Sequence, residues 1–160
     1  MSQHEKFSGK ELRIVDSQTG AKTLPHVIEP AVGVDRLFLM VLCDAYSEED
    51  SRIVLKIAPR LAPVKAAVFP LLANKDELTH KAQEIYADIK EHISGFVSYD
   101  ARGNIGKRYL SQDEVGTPYC VTVDFQTLED GTVTIRDRDT AKQERVEVSK
   151  INSFLLEKLA

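Results

Sequence analysis

The sequence predicts an α/β fold, a mixed five-stranded sheet flanked by helices, and three observations predict it. Short apolar, strand-like runs at residues 64–69, 96–99 and 119–125 are separated by helical patterns at 77–93 and 105–115. Strands alternating with helices in this way pair in parallel. Two further strand-like runs, 132–136 and 144–148, come next with turns between them, which adds antiparallel strands to the same sheet. The chain then closes on an amphipathic helix, so the order reads βαβαβββα and helices are available to cover the sheet.

Composition is compatible with that fold. The 160 residues are 42% hydrophobic and 29% charged, with a formal net charge of −4. This is globular composition and excludes a disordered chain. No global excess of positive charge announces a nucleic-acid partner, so any RNA contact has to come from local clusters of Lys and Arg. No apolar run approaches the ~20 residues of a membrane span, and the polar start, Met1 to Lys6, lacks a signal-peptide core. A cytoplasmic protein is expected. Cys43 and Cys120 match no metal or redox spacing and read as two buried free thiols. His4, His26, His80 and His92 form no ligand set, and His80 and His92 read as exposed helix residues. No metal site is expected.

Along the chain, residues 1–24 are polar and turn-rich, with Ser17-Gln18-Thr19-Gly20 as a turn between short extended pieces. Val27-Ile28 is a β-like pair ended by Pro30. A helix is expected over 34–46. Its residues Leu37 to Leu42 are apolar on nearly every side, which is the pattern of a helix packed on several faces. Little nearby could cover it, which points to a partner domain. The acidic segment 47–51 reads as a linker and 53–57 as extended chain, with Pro59 and Pro63 punctuating the residues beyond. A domain boundary is placed across 48–62, between a piece covering 1–47 and a domain covering 63–160.

Within that domain, 77–93 carries Leu78, Ala82, Ile85, Tyr86 and Ile89 at spacings of three and four, the signature of an amphipathic helix. Asp100 to Asn104 is a turn. In 119–125, Val121, Val123 and Phe125 alternate with Thr122 and Asp124, as in a strand. Glu129-Asp130-Gly131 and Asp137-Arg138-Asp139-Thr140 are turns. Ser149 is expected to cap the final helix, whose apolar face is Ile151, Phe154, Leu155 and Leu159.

One stretch combines groups that bear chemistry: Pro25-His26-Val27-Ile28-Glu29-Pro30-Ala31-Val32-Gly33-Val34-Asp35-Arg36. It offers a carboxylate on a short strand, a glycine where backbone can approach a ligand, and an arginine in a helix's first turn, where its planar fork can grip phosphate. A salt bridge from Arg36 to Glu29 or Asp35 is the structural alternative.

That string resembles motif 3 of class II aminoacyl-tRNA synthetases, specifically the glycyl-tRNA synthetases. Gln3-His4 and Ser8 to Leu12 resemble the family upstream of it, and Ala58 to Val68 resembles its approach to the anticodon-binding domain. Further matches are Gly106-Lys107-Arg108-Tyr109, the run from Gln112 to Cys120, and the run from Val133 to Thr140. The resemblance covers essentially the whole chain in family order. It implies the anticodon-binding portion of an enzyme that joins glycine to tRNA(Gly), using ATP and Mg²⁺, with a class IIa anticodon-binding-domain fold.

By the same resemblance, Glu29, Pro30, Ala31, Val32 and Gly33 line a glycine pocket, and Gly33, Val34, Asp35 and Arg36 contact ATP. Ala31 departs from the family's usual serine. Motifs 1 and 2 are not in the sequence, so catalytic residues are incomplete and the isolated chain is expected to be inactive. The implied partners are tRNA(Gly) and the catalytic domain with its glycine and ATP, in an enzyme that is a homodimer. Lys107, Arg108 and Tyr109, and Arg136, Asp137, Arg138 and Asp139, are the expected tRNA contacts. For the first group the alternative is a solvated helix face, and for the second a hairpin whose charges pair with one another. Asp113 and Glu114 are expected to brace the turn before the third strand. The competing function is a free-standing, non-catalytic paralogue that serves as an interaction or assembly module.

Overall fold

The structure is a computed structural model and describes residues 1–49 and 51–160. Asp50, which falls in the predicted 48–62 linker, lies outside the described residues. The chain divides into two compact units, Met1–Leu37 and Phe38–Ala160.

The first unit holds α1 (Ser2–Ser8), which the turn-rich sequence did not suggest, and a two-stranded ladder of β1 (Ile14–Val15) and β2 (Lys22–Thr23). The expected turn joins the strands. Asp16 Oδ1 accepts from the amides of Gln18 and Thr19 at 2.8 and 3.0 Å, and Gly20 takes a φ of 70°. Val27-Ile28 forms no strand, and Ile28 is 93% exposed. Helix α2 (Val34–Ala45) starts in this unit and continues into the second. Its side chains Leu37, Phe38, Leu39 and Met40 are all exposed in this chain.

The second unit opens with a hairpin of β3 (Tyr46–Glu49) and β4 (Arg52–Leu55), antiparallel from Tyr46↔Leu55 to Glu49↔Arg52. This corrects the predicted linker. Acidic composition suggested solvated chain, but Val54 is fully buried and Lys56 pairs with Glu49 at 3.0 Å, so the hairpin belongs to the fold.

Five strands build the main sheet: β5 (Val64–Pro70), β6 (Phe96–Tyr99), β7 (Tyr119–Val123), β8 (Thr132–Asp137) and β9 (Gln143–Glu147). Their order is β6-β5-β7-β8-β9. Strand β5 is parallel to both β6 and β7, while β8 runs antiparallel to β7 and β9. The mixed five-stranded sheet is the one the sequence predicts. The helices are α3 (Asp76–His92), α4 (Ile105–Val115), α5 (Phe125–Asp130) and α6 (Ile151–Leu159).

The two faces of the sheet are unequal. Ala66, Val68, Val97, Val121, Val133 and Ile135 pack with Leu78, Ala82, Ile85 and Ile89 of α3 and Ile151 and Leu155 of α6 into the main core. The opposite face carries a small cluster of Ala67, Phe69 and Cys120 under Ile105 and Tyr109 of α4.

Three local expectations are corrected. Phe125 is helical, because Asp124 and Thr127 form a capping box that starts α5 after Val123; the two-residue alternation ran on past the cap. Ser149 lies in a 3₁₀ turn (Val148–Lys150) and makes no cap bond to α6. Cys43 is exposed, whereas Cys120 is buried as expected, and burial pushes its thiol up to about 12. His80 and His92 are exposed on α3. Among the described residues no helix is long and apolar enough to cross a membrane, and no group of acidic, His and Cys side chains could hold a metal ion.

Candidate nucleic-acid interface

Helix α4 begins where Asn104 accepts a hydrogen bond from the Lys107 amide at 2.8 Å. The three residues read there as an RNA contact separate in space. Lys107 is exposed. Arg108 turns inward: Nη1 donates to the carbonyls of Pro70 at 2.6 Å and Asp100 at 3.2 Å, and its guanidinium lies over the Phe69 ring. Tyr109 sits edge-on to Phe69, with its hydroxyl 2.6 Å from Thr122 Oγ1. Arg108 and Tyr109 therefore close the gap between α4 and the sheet, because strand-end carbonyls left inside the fold need a donor.

The residues from Arg136 to Asp139 are likewise built into the fold. Arg136 forms a two-pronged pair with the fully buried carboxylate of Asp113, at 2.7 and 2.9 Å, and stacks over Tyr109 at 4.9 Å. Arg138, 2% exposed, donates to the Gly116 carbonyl at 2.7 Å and pairs with Asp139. Asp137 Oδ1 accepts from the Thr140 amide and hydroxyl at 2.8 and 2.9 Å. Both guanidinium groups are committed to acceptors within the fold. The pairing alternative holds for Arg138 with Asp139, while Arg136 pairs with a helix residue rather than within the hairpin. The Asp113 carboxylate pairs with Arg136 and Arg52 rather than with the turn before β7, and Glu114 is exposed.

The uncovered surface lies beside these residues. On β8 and β9, Val133, Ile135 and Val146 face the main core, so Thr132, Thr134 and Arg136 and their ladder partners Glu147, Arg145 and Gln143 point to the other face. Helix α4 meets that face at Thr122 and Arg136 through Tyr109. Arg145 lies across the rest. Its Nε donates to Thr132 Oγ1 at 3.0 Å, and Nη1 donates to Thr134 Oγ1 at 2.9 Å and Asp124 Oδ2 at 2.5 Å. Burial would raise the Asp124 carboxyl, but Arg145 and the Thr127 amide and hydroxyl outweigh it and hold the group below the usual carboxylate range. The arginine plane is thus fixed by acceptors yet 30% exposed. Phe125, next to Asp124 in the chain, is 46% exposed.

A fixed guanidinium plane, two threonine hydroxyls and a carboxylate are groups on which unpaired bases stack and form edge hydrogen bonds. Sequence reasoning singled out none of Arg145, Thr132 and Thr134. The alternation along 143–147 placed Arg145 opposite Val146, but only the fold shows that its side stays exposed while it pairs with Asp124 and Asp130 at the two ends of α5.

On the core side, Asp137 helps to line an open cleft of about 320 Å³ with Tyr119, Lys142, Phe154 and Lys158. In the first unit, Glu29, Pro30, Ala31, Val32, Gly33, Val34, Asp35 and Arg36 are all exposed. Arg36 makes no ion pair with Glu29 or Asp35 among the described residues, so the salt-bridge alternative is not realised.

Residues 65–158 match a family described as "Anticodon binding domain". The chain is 50% identical over 163 residues to the Glycine--tRNA ligase of Chlorobaculum tepidum, covering 99% of this chain and 34% of that protein. It is 46% identical over 169 residues to the Glycine--tRNA ligase of Thermobifida fusca, covering 100% of this chain and 36% of the relative. With the Glycine--tRNA ligase of Rhodopirellula baltica it shares 52% identity over 155 residues, 91% of this chain and 28% of the relative. The chain thus spans about a third of the length of the curated relatives it matches.

Proposed function

Because the chain belongs to the anticodon-binding-domain family and is about half identical to glycine--tRNA ligases, we propose that it binds the anticodon arm of tRNA(Gly) through the exposed face of β8 and β9. The observation that carries this reading is Arg145, a guanidinium held flat across an uncovered sheet face by Thr132, Thr134 and Asp124. Arg145 stacks on a splayed loop base, the threonine hydroxyls and Asp124 meet base edges, and Lys107 supplies a phosphate contact. Buried Arg136 and Arg138 hold the scaffold.

The same reading places the chain within a ligase that joins glycine to tRNA(Gly) with ATP and Mg²⁺. Glu29 to Gly33 face glycine there and Gly33 to Arg36 face ATP; their exposure supports this. The apolar side chains of α2 favour a protein surface over it, which suits both a catalytic domain and the alternative of an assembly module.

Titration of the chain with tRNA(Gly), and with a version altered in its anticodon bases, at two salt concentrations tests the proposal. Tighter binding of the native anticodon is expected. Arg145→Ala should weaken that binding by about 1–3 kcal/mol, and Lys107→Ala should lower the salt slope by about one. Binding indifferent to the anticodon would favour the assembly module.

A further inference from the structure

Arg52 lies outside every segment that carries the tRNA reading, yet it touches that region's frame. It projects from β4, and its side chain is only 10% exposed. Its Nε pairs with Glu49 Oε2 at 2.7 Å, which ties it to the neighbouring strand of the hairpin. Its Nη1 donates to Asp113 Oδ2 at 3.1 Å and to the Arg138 carbonyl at 2.8 Å. Its Nη2 reaches the Asp139 carbonyl at 3.5 Å. One planar fork thus joins the hairpin, α4 and the backbone just after β8.

That backbone leads into the turn between β8 and β9, which is held only in part by its own residues. Asp137 caps it from within, and the Arg138 amide donates to the Pro118 carbonyl at 3.0 Å. Ala141 closes it at a φ of 55°, a left-handed conformation that a side chain disfavours. A turn with such a residue persists because its surroundings over-determine it, and Arg52 supplies donors from outside. The turn in turn sets the register in which Arg145 faces Thr134.

We propose that Arg52 is a positioning residue, a latch through which the β3–β4 hairpin holds the β8–β9 turn and thereby the strand that presents Arg145. This inference rests on the tRNA-binding reading for its purpose, but not for its geometry. Lysine keeps the charge and loses the fork, so it cannot serve Glu49, Asp113 and Arg138 together.

Amide hydrogen exchange of the whole chain tests the latch without RNA. In Arg52→Lys the amides of Asp137 and Thr140 should exchange roughly tenfold faster, with Val121 and Ile135 unchanged. An unchanged turn, or equal acceleration throughout the sheet, overturns the proposal. Arg52→Gln gives the same readout should Arg52→Lys fail to fold. Adding a tRNA(Gly) anticodon stem-loop then reads the purpose. Discrimination against an altered anticodon should narrow in Arg52→Lys while the salt slope stays that of the parent, because Arg52 touches no phosphate. A lower salt slope with intact discrimination overturns the positioning role. If the parent chain binds no stem-loop, the tRNA reading fails, and the RNA-free exchange still decides the latch.

Discussion

At the scale of single residues, the charges that sequence reasoning offered to RNA are largely used by the fold. Asp113 is fully buried and meets two guanidinium groups, Arg136 through two bonds and Arg52 through one. Removing one partner of a buried pair strands the others, so Asp113→Ala should cost about 3–5 kcal/mol in chemical denaturation. Asp124 gives a pH-dependent counterpart. Its folded-state value lies below its unfolded one, despite burial, because Arg145 and Thr127 favour the carboxylate. A depressed carboxylate stabilises above its unfolded pKa of about 3.9, and that contribution is lost as pH falls through the lower folded value. Asp124→Asn should therefore be less stable than the parent at neutral pH, and the two denaturation curves should converge in acid. Both carboxylates were visible in the sequence. Their partners were not, since Asp113 and Arg136 are 23 residues apart and only the fold brings them together.

At the scale of elements, periodicity located what the backbone could build alone. Helix α3 matches its pattern of Leu78, Ala82, Ile85 and Ile89 within a residue at each end, and β6 matches its predicted span. The misread elements are those decided by local hydrogen bonds or by long-range pairing. The capping box at Asp124 converted the end of an apparent strand into α5, and Ser47 to Glu49 of the acidic stretch became a strand of a hairpin because it has a surface to pack on. Gly116 shows that contact. It ends α4 at a φ of 85°, and a Cβ there would stand 2.9 Å from the Leu55 carbonyl oxygen of β4. Gly116→Ala should destabilise the fold by more than about 1 kcal/mol, with the fastest-exchanging amides of the variant appearing in β4 and the end of α4.

At the scale of the molecule, the division between Leu37 and Phe38 leaves the five-stranded sheet, all its covering helices and the β3–β4 hairpin in one unit. A chain of residues 38–160 should accordingly fold by itself with a cooperative denaturation transition; a broad transition would show that the first 37 residues are part of that unit. The sequence by itself determined the α/β class, the order of the five sheet strands with α3, α4 and α6 among them, and the likeness to glycyl-tRNA synthetases. Those are carried by local periodicity and by ordered motifs, which need no knowledge of distant neighbours. Only the tertiary structure decided which charges remain available. Burial and hydrogen bonding are properties of neighbours brought together by strand order: they drew Arg108, Arg136 and Arg138 into the frame and left Arg145 on an uncovered face, a difference that one-dimensional charge patterns do not contain.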